Sequence, residues 1–222
     1  MPNNIIISNK TIGIGHPIFF IAEAGVNHNG SIDLAKQLID EAKICGADAI
    51  KFQTFKANKL NTKKAPKSSY HIQTTGDDLK QSWYDLLKTQ EITYDMHVEL
   101  IEYCNKKNII FLSTPYDVDS LHLLNELNVE AFKIASTDTN NLPFLTEVAK
   151  LSKPTIISTA FCNFIEVQEA VNTLKKSKLK DIIVCQCTGN YPSKLEDSNL
   201  RELKKYADEL ECLIGYSDHT EE

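Results

Sequence analysis

The chain has 222 residues, 42% of them hydrophobic, and a formal net charge of −6, which suits one sizeable core and leaves little for a second. The acidic balance argues against a general binder of nucleic acid or membrane surface, since both require basic faces. No apolar run reaches membrane-spanning length, and the N-terminus "MPNNIIISNKTIGIGHP" has no charged n-region, long apolar region or cleavage site, so a cytoplasmic protein is expected.

Taken in order, "NIIISNKTIGIG" reads as a short hairpin with Asn9 and Lys10 near its turn. From there, β-rich apolar runs alternate with segments of helical period. "IFFIAEA" precedes "SIDLAKQLIDEAKICG", and "ADAIKFQTF" precedes a long polar loop and "TYDMHVELIEYCNKKN". "IIFLSTP" leads into "DVDSLHLLNELN", "VEAFKIAS" into "LPFLTEVAKLS", "PTIISTA" into "FIEVQEAVNTLKKS" and "DIIVCQCT" into "LRELKKYADEL", with "CLIGYSDHT" last. This alternation predicts an α/β fold of parallel strands joined by helical crossovers.

Polar residues close strand after strand: Glu23, Lys51 with Gln53, Ser113 with Thr114, Lys133 with Ser136, Ser158 with Thr159, Gln186 with Thr188, and Ser217, Asp218 and His219. Chemistry spread over many strand ends is the mark of a (β/α)8 TIM barrel rather than of an open sheet, which gathers its site at one crossover point. "GVNHNG" also has the wrong glycine spacing for a dinucleotide fingerprint. Seven such strands are predicted, and the sequence ends directly after the seventh. The expectation is therefore one domain over residues 1–222, an incomplete TIM barrel truncated after strand 7.

Strand parity sorts the candidates. In "ADAIKFQTF" Lys51 and Gln53 share a face opposite Ile50 and Phe52, and Lys133 lies opposite Phe132 and Ile134. Two lysines and Glu23 then point to the barrel interior. A lysine–glutamate pair is one reading, because a buried lysine is costly unless paired. With Thr114, Ser136, Ser158 and Ser217 around them, two lysines also suit an anionic ligand, phosphate or carboxylate.

Of six histidines, His16, His71, His97 and His122 are expected in loops or on helix surfaces. His28 and His219 lie just past strand ends, where imidazole can bind a divalent metal or exchange a proton. No HExxH or CxxC pattern supplies further ligands. The six cysteines are expected reduced, with Cys104, Cys185, Cys187 and Cys212 as core residues.

Six segments, "FIAEAGVNHNGS", "GADAIKFQTFKANKL", "FLSTPYD", "FKIAS", "QCTGNYPS" and "IGYSDHT", resemble in order the signature segments of the sialic acid synthase family, which includes N-acetylneuraminate, legionaminate and pseudaminate synthases. The resemblance implies a TIM barrel that condenses phosphoenolpyruvate with an N-acetylated hexose, N-acetylmannosamine or a 2,4-diacetamido hexose. The products are a nine-carbon 2-keto sugar acid and phosphate. It implies phosphoenolpyruvate contacts from Lys51, Thr114, Lys133, Ser136 and Ser217, with both lysines as binding groups, and sugar contacts from Gln53 and Tyr191. It also implies catalytic roles for Glu23 and for Asp138, which stands where several members have glutamate. His219 matches one of two histidine ligands to a divalent metal, Mn2+ or Mg2+. Bacterial members often carry asparagine at the position of Gly189. The family dimerises through a C-terminal antifreeze-like domain, which these 222 residues do not include. A chain of this extent has a second reading: a non-catalytic remnant, or the N-terminal piece of a split synthase that needs another chain.

Overall fold

In the computed structural model, residues 4–67, 72 and 82–221 are described. The chain divides into two compact units, residues 20–127 and residues 1–19 with 128–222. Among the described residues no helix is long and apolar enough to cross a membrane.

The hairpin is present and belongs with residues 128–222. β1 (Asn4–Ile7) and β2 (Lys10–Gly13) pair antiparallel, with Ile7 opposite Lys10 across a two-residue turn. Ile5 and Ile7 are buried while Ile6 is exposed, the period-2 alternation of a ribbon with one covered face.

In residues 20–127, β3 (Ile21–Gly25), β4 (Ala49–Thr54) and β5 (Ile110–Pro115) run parallel in that order. Between β3 and β4 lies α1 (Ile32–Ile44), which starts where the Ser31 hydroxyl accepts the Leu34 N–H and buries Ala35, Ile39 and Ala42. Among its described residues, the long polar loop predicted after β4 contains the short helices α2 (Ala57–Leu60) and α3 (Trp83–Thr89). Reciprocal hydrogen bonds between Ser82 and Asp85 start α3, a capping box worth about 1 kcal/mol. α4 (Tyr94–Lys107) packs on α1, and α5 (Val118–Glu126) follows β5.

In the other unit β6 (Phe132–Ile134), β7 (Thr155–Ser158), β8 (Ile182–Cys187) and β9 (Leu213–Ser217) form a second parallel run in that order. α6 (Leu142–Lys150), α7 (Phe164–Lys176) and α8 (Arg201–Glu209) connect them. The strand expected over "VEAFKIAS" is regular only to Ile134. Ser136–Asp138 curl into a 3-10 turn, because the Asp138 N–H bonds Ala135 O at 3.0 Å and the Thr139 hydroxyl reaches Ser158 O at 2.5 Å. All six cysteines are free thiols, and Cys104, Cys185, Cys187 and Cys212 are buried.

Candidate active site

Each unit gathers polar side chains at the C-terminal ends of its parallel strands. In residues 20–127, Glu23 and Lys51 are register partners on β3 and β4, and the Glu23 carboxylate accepts from Lys51 Nζ. Lys51 is only 9% exposed, whereas the Glu23 side chain stays half open to solvent. Regular pairing breaks between Glu23 and Gly25, and Gly25 takes φ +53°. A side chain at Gly25 would stand 3.3 Å from Glu23 Oε1 and 3.6 Å from Gln53 Nε2, so glycine here lets the carboxylate and the amide share one neighbourhood. Thr114 on β5 is the register partner of Gln53 and is buried.

The other face of β4 and β5 turns to the helices. Phe52 stacks on Phe111 with ring centroids 5.5 Å apart, and Thr54 Oγ1 lies 2.8 Å from His97 Nε2 on α4 and 2.7 Å from Ser113 Oγ. That geometry supports the parity reading, since residues between these positions, Lys51 and Gln53, face away from the helices. It also removes Ser113 from the candidate site.

Two histidine expectations are corrected. His97, expected on a surface, is fully buried, and burial pushes its pKa down to about 4. The carbonyl of Thr93 accepts from its Nδ1 at 2.8 Å, so Nε2 accepts from Thr54. His28, expected at the site, is turned into the core. Successive turns, Asn27 N–H to Ala24 O, Asn29 N–H to Val26 O and Ser31 N–H to His28 O, curl the loop back. His28 Nδ1 accepts from the Gly30 N–H at 3.0 Å and its ring lies 6.1 Å from that of Phe52. Burial lowers its pKa, and its Nε2 has no partner among the described residues. His16 and His122 are exposed, as expected, and His71 lies outside the described residues.

In the unit holding residues 128–222, Lys133 on β6 is 7% exposed. Its ammonium donates to Ser158 Oγ on β7 and to Ile134 O at 3.1 Å. The Ser136 hydroxyl accepts the Ala160 N–H at 3.0 Å, which ties the 3-10 turn after β6 to the turn after β7. Asp138 sits in that 3-10 turn with Asn141 Nδ2 donating to its carboxylate at 3.1 Å, and burial holds its pKa above the usual carboxylate value. Thr159 and Gln186 face the other way. Thr159 Oγ1 donates to Cys185 O and accepts from Tyr206 OH, and Gln186 Nε2 reaches Ser198 O.

On β8 and β9, Cys187 and Ser217 are register partners. His219 Nδ1 lies 2.8 Å from Thr188 O and 3.8 Å from Cys187 Sγ, and the Tyr191 ring stands 4.1 Å from the His219 ring. Burial raises the Cys187 pKa, but the hydrogen bonds and charge of His219, with Ser217 and Lys133, outweigh it, and the net shift is downward. The parity of "VCQC" beside "GYS" is the signal that could have placed this thiol at the site rather than wholly in the core. Ser217, Tyr191 and His219 thus meet in one cluster, where a carbonyl acceptor keeps the proton on Nδ1, so that Nε2 is the ring nitrogen carrying the lone pair. Among the described residues no three His, Cys, Asp or Glu side chains are grouped to hold a metal ion. His219 therefore fits one position of a coordination shell and no more.

Gly189, where the resemblance implies asparagine, has a steric cause. A Cβ there would lie 2.1 Å from Cζ of Phe161, whose ring covers the position.

Residues 38–222 match the NeuB family. Over 202 residues the chain is 45% identical to the N,N'-diacetyllegionaminic acid synthase of Campylobacter jejuni, covering 90% of this chain and 60% of that protein. It is 41% identical to the synthase of the same name from Legionella pneumophila, covering 98% and 62%. A crystal structure of N-acetylneuraminic acid (sialic acid) synthetase from Leptospira borgpetersenii, in complex with citrate, superposes with a TM-score of 0.84 at 35% identity, covering 98% of this chain and 70% of that one. The chain spans about three fifths of the length of these two curated relatives. By the profile and by these identities, the chain belongs to the NeuB family.

Proposed function

We propose that this chain carries the phosphoenolpyruvate-handling, TIM-barrel part of a synthase that joins phosphoenolpyruvate to an N-acetylated hexose, giving a nine-carbon sialic-acid-type sugar and phosphate. The observation that carries the reading is Lys133, a nearly buried ammonium at a strand end, with the hydroxyl of Ser158 on it and Ser136 tied to the next turn. Charge-assisted donors of this kind suit a small polyanion. Lys133, Ser136 and Ser217, with Lys51 and Thr114, are proposed to hold its phosphate and carboxylate.

In the reaction C3 of phosphoenolpyruvate forms a bond to the aldehyde carbon of the sugar, and the aldehyde oxygen takes a proton. Water adds at the cationic C2, loses a proton, and the bond from C2 to the phosphate oxygen breaks. Asp138, whose carboxyl burial favours in the protonated form, is proposed to hold a proton for the sugar side. Glu23 orients the sugar or water and takes the proton that water loses. Gln53 and Tyr191 hold sugar hydroxyl or acetamido groups. A divalent ion, when bound, polarises the sugar carbonyl, and His219 Nε2 is proposed as one of its ligands. The two relatives named for a diacetylated product favour a 2,4-diacetamido hexose over N-acetylmannosamine.

The test is phosphate release from phosphoenolpyruvate with each sugar, with and without Mn2+. Release that needs both sugar and metal supports the reading. A folded protein that does not bind phosphoenolpyruvate at all would overturn it.

A further inference from the structure

Phe161 departs from two local preferences at once. Its backbone is left-handed, φ +65°, which costs about 1 kcal/mol or more for a residue with a Cβ. The residue is also 77% exposed, although a large aromatic gains most from burial. It lies in the turn after β7, closed by the Cys162 N–H on Thr159 O at 3.2 Å and linked to Ser136 through the Ala160 N–H. The edge of the ring rests on Gly189, where a Cβ would come within 2.1 Å of Cζ and 2.3 Å of Cε1. Gly189 follows Thr188, whose carbonyl accepts from His219. The ring is thus seated by a glycine on the loop that fixes His219, on a turn held by Ser136, with most of its surface open. Strain retained around an uncovered apolar face is the pattern of a ligand clamp.

We propose that Phe161, seated on Gly189, is a specificity-determining residue for the sugar: its open face takes the methyl group of an N-acetyl substituent. The proposal rests on the synthase reading given above. A hexose is polar over most of its surface, and an acetamido methyl is a compact apolar group on it. A phenyl ring offers that methyl a dry contact and offers a hydroxyl nothing to bond.

The test compares a 2,4-diacetamido hexose with its 2,4-diformamido analogue, which lacks only the acetyl methyls. The wild-type protein is expected to prefer the acetyl sugar by about tenfold in kcat/KM, the range set by one apolar carbon in a fitted pocket. Phe161→Ala should bring the two sugars within about twofold while the Kd for phosphoenolpyruvate stays unchanged, and Phe161→Leu should restore part of the preference. Gly189→Ala, which evicts the ring, should act like Phe161→Ala, and the double variant should be no worse than either. An undiminished preference in Phe161→Ala, with wild-type turnover intact, overturns this proposal and leaves the synthase reading standing. Failure of the wild type to turn over or bind the 2,4-diacetamido hexose, read by saturation-transfer NMR on its acetyl methyl signals, overturns both.

Discussion

His219 gives its Nδ1 proton to the carbonyl oxygen of Thr188 at 2.8 Å. A carbonyl can only accept, so the tautomer is set by the backbone and the lone pair lies on Nε2. Loss of an outer partner alone usually weakens a metal site 10- to 100-fold. His219→Ala should therefore weaken Mn2+ binding at least about tenfold in calorimetry, with thermal stability nearly unchanged. Equal Mn2+ affinity in the variant would remove His219 from the metal site.

Lys133→Met keeps the length of the side chain and removes the charge. Because a buried ammonium gives way to an apolar group of similar shape, folding stability should hold or rise slightly. Phosphoenolpyruvate affinity should fall about 10- to 100-fold, the worth of a charged hydrogen bond. Calorimetry and a thermal melt on the same sample separate the two effects, and unchanged affinity would count against the anion site.

Glu23→Gln removes the carboxylate that Lys51 Nζ bonds. Since the Glu23 side chain is half open to solvent, screening limits the loss to about 1 kcal/mol, a drop of about 2–4 °C in Tm for a chain of this size. If Glu23 moves a proton, kcat should fall about 10²-fold or more. A variant with full kcat would restrict Glu23 to the ion pair.

His97 links pH to stability. Its folded pKa is about 4 against 6.5 for the free side chain, so below pH 6.5 the unfolded chain binds a proton that the folded chain refuses. Stability is complete above about pH 6.5 and is lost as pH falls toward 4, by up to about 3 kcal/mol. Urea melts between pH 7.5 and 4.5 should show this slope, and His97→Gln should flatten it. A parallel slope in the variant would assign the effect to other groups, the buried His28 first among them.

Much of the fold was legible because parallel strands and their crossover helices carry strong periodic signals. The faces of β4 followed from parity alone, and the helix-side bonds of Thr54 and the stacking of Phe52 agree with it. His97 was misread because histidine is usually solvated, yet its spacing to Leu100 and Cys104 follows the buried stripe of α4. The pattern Ser82-x-x-Asp85 marked the start of α3 inside a segment that composition alone made a loop. His28 could not be placed, since its direction depends on three consecutive turns and on Gly30, whose absent side chain would meet the Thr89 carbonyl at 2.3 Å. The Phe161–Gly189 contact joins residues 28 positions apart on two irregular loops, and no periodicity reports such a pair.

Tyr191 lies with its ring 4.1 Å from that of His219, and the Ser193 N–H bonds the carbonyl of His219 at 2.8 Å. The loop after β8 and the end of β9 are therefore mechanically one piece. Whatever settles against Tyr191 shifts the imidazole, and whatever takes the lone pair of that imidazole shifts Tyr191. If Tyr191 holds the sugar and His219 the ion, as proposed, occupancy at the two rings is reciprocal: an ion that tightened the hold on the sugar by some factor would itself be retained more tightly by the same factor once the sugar was in place.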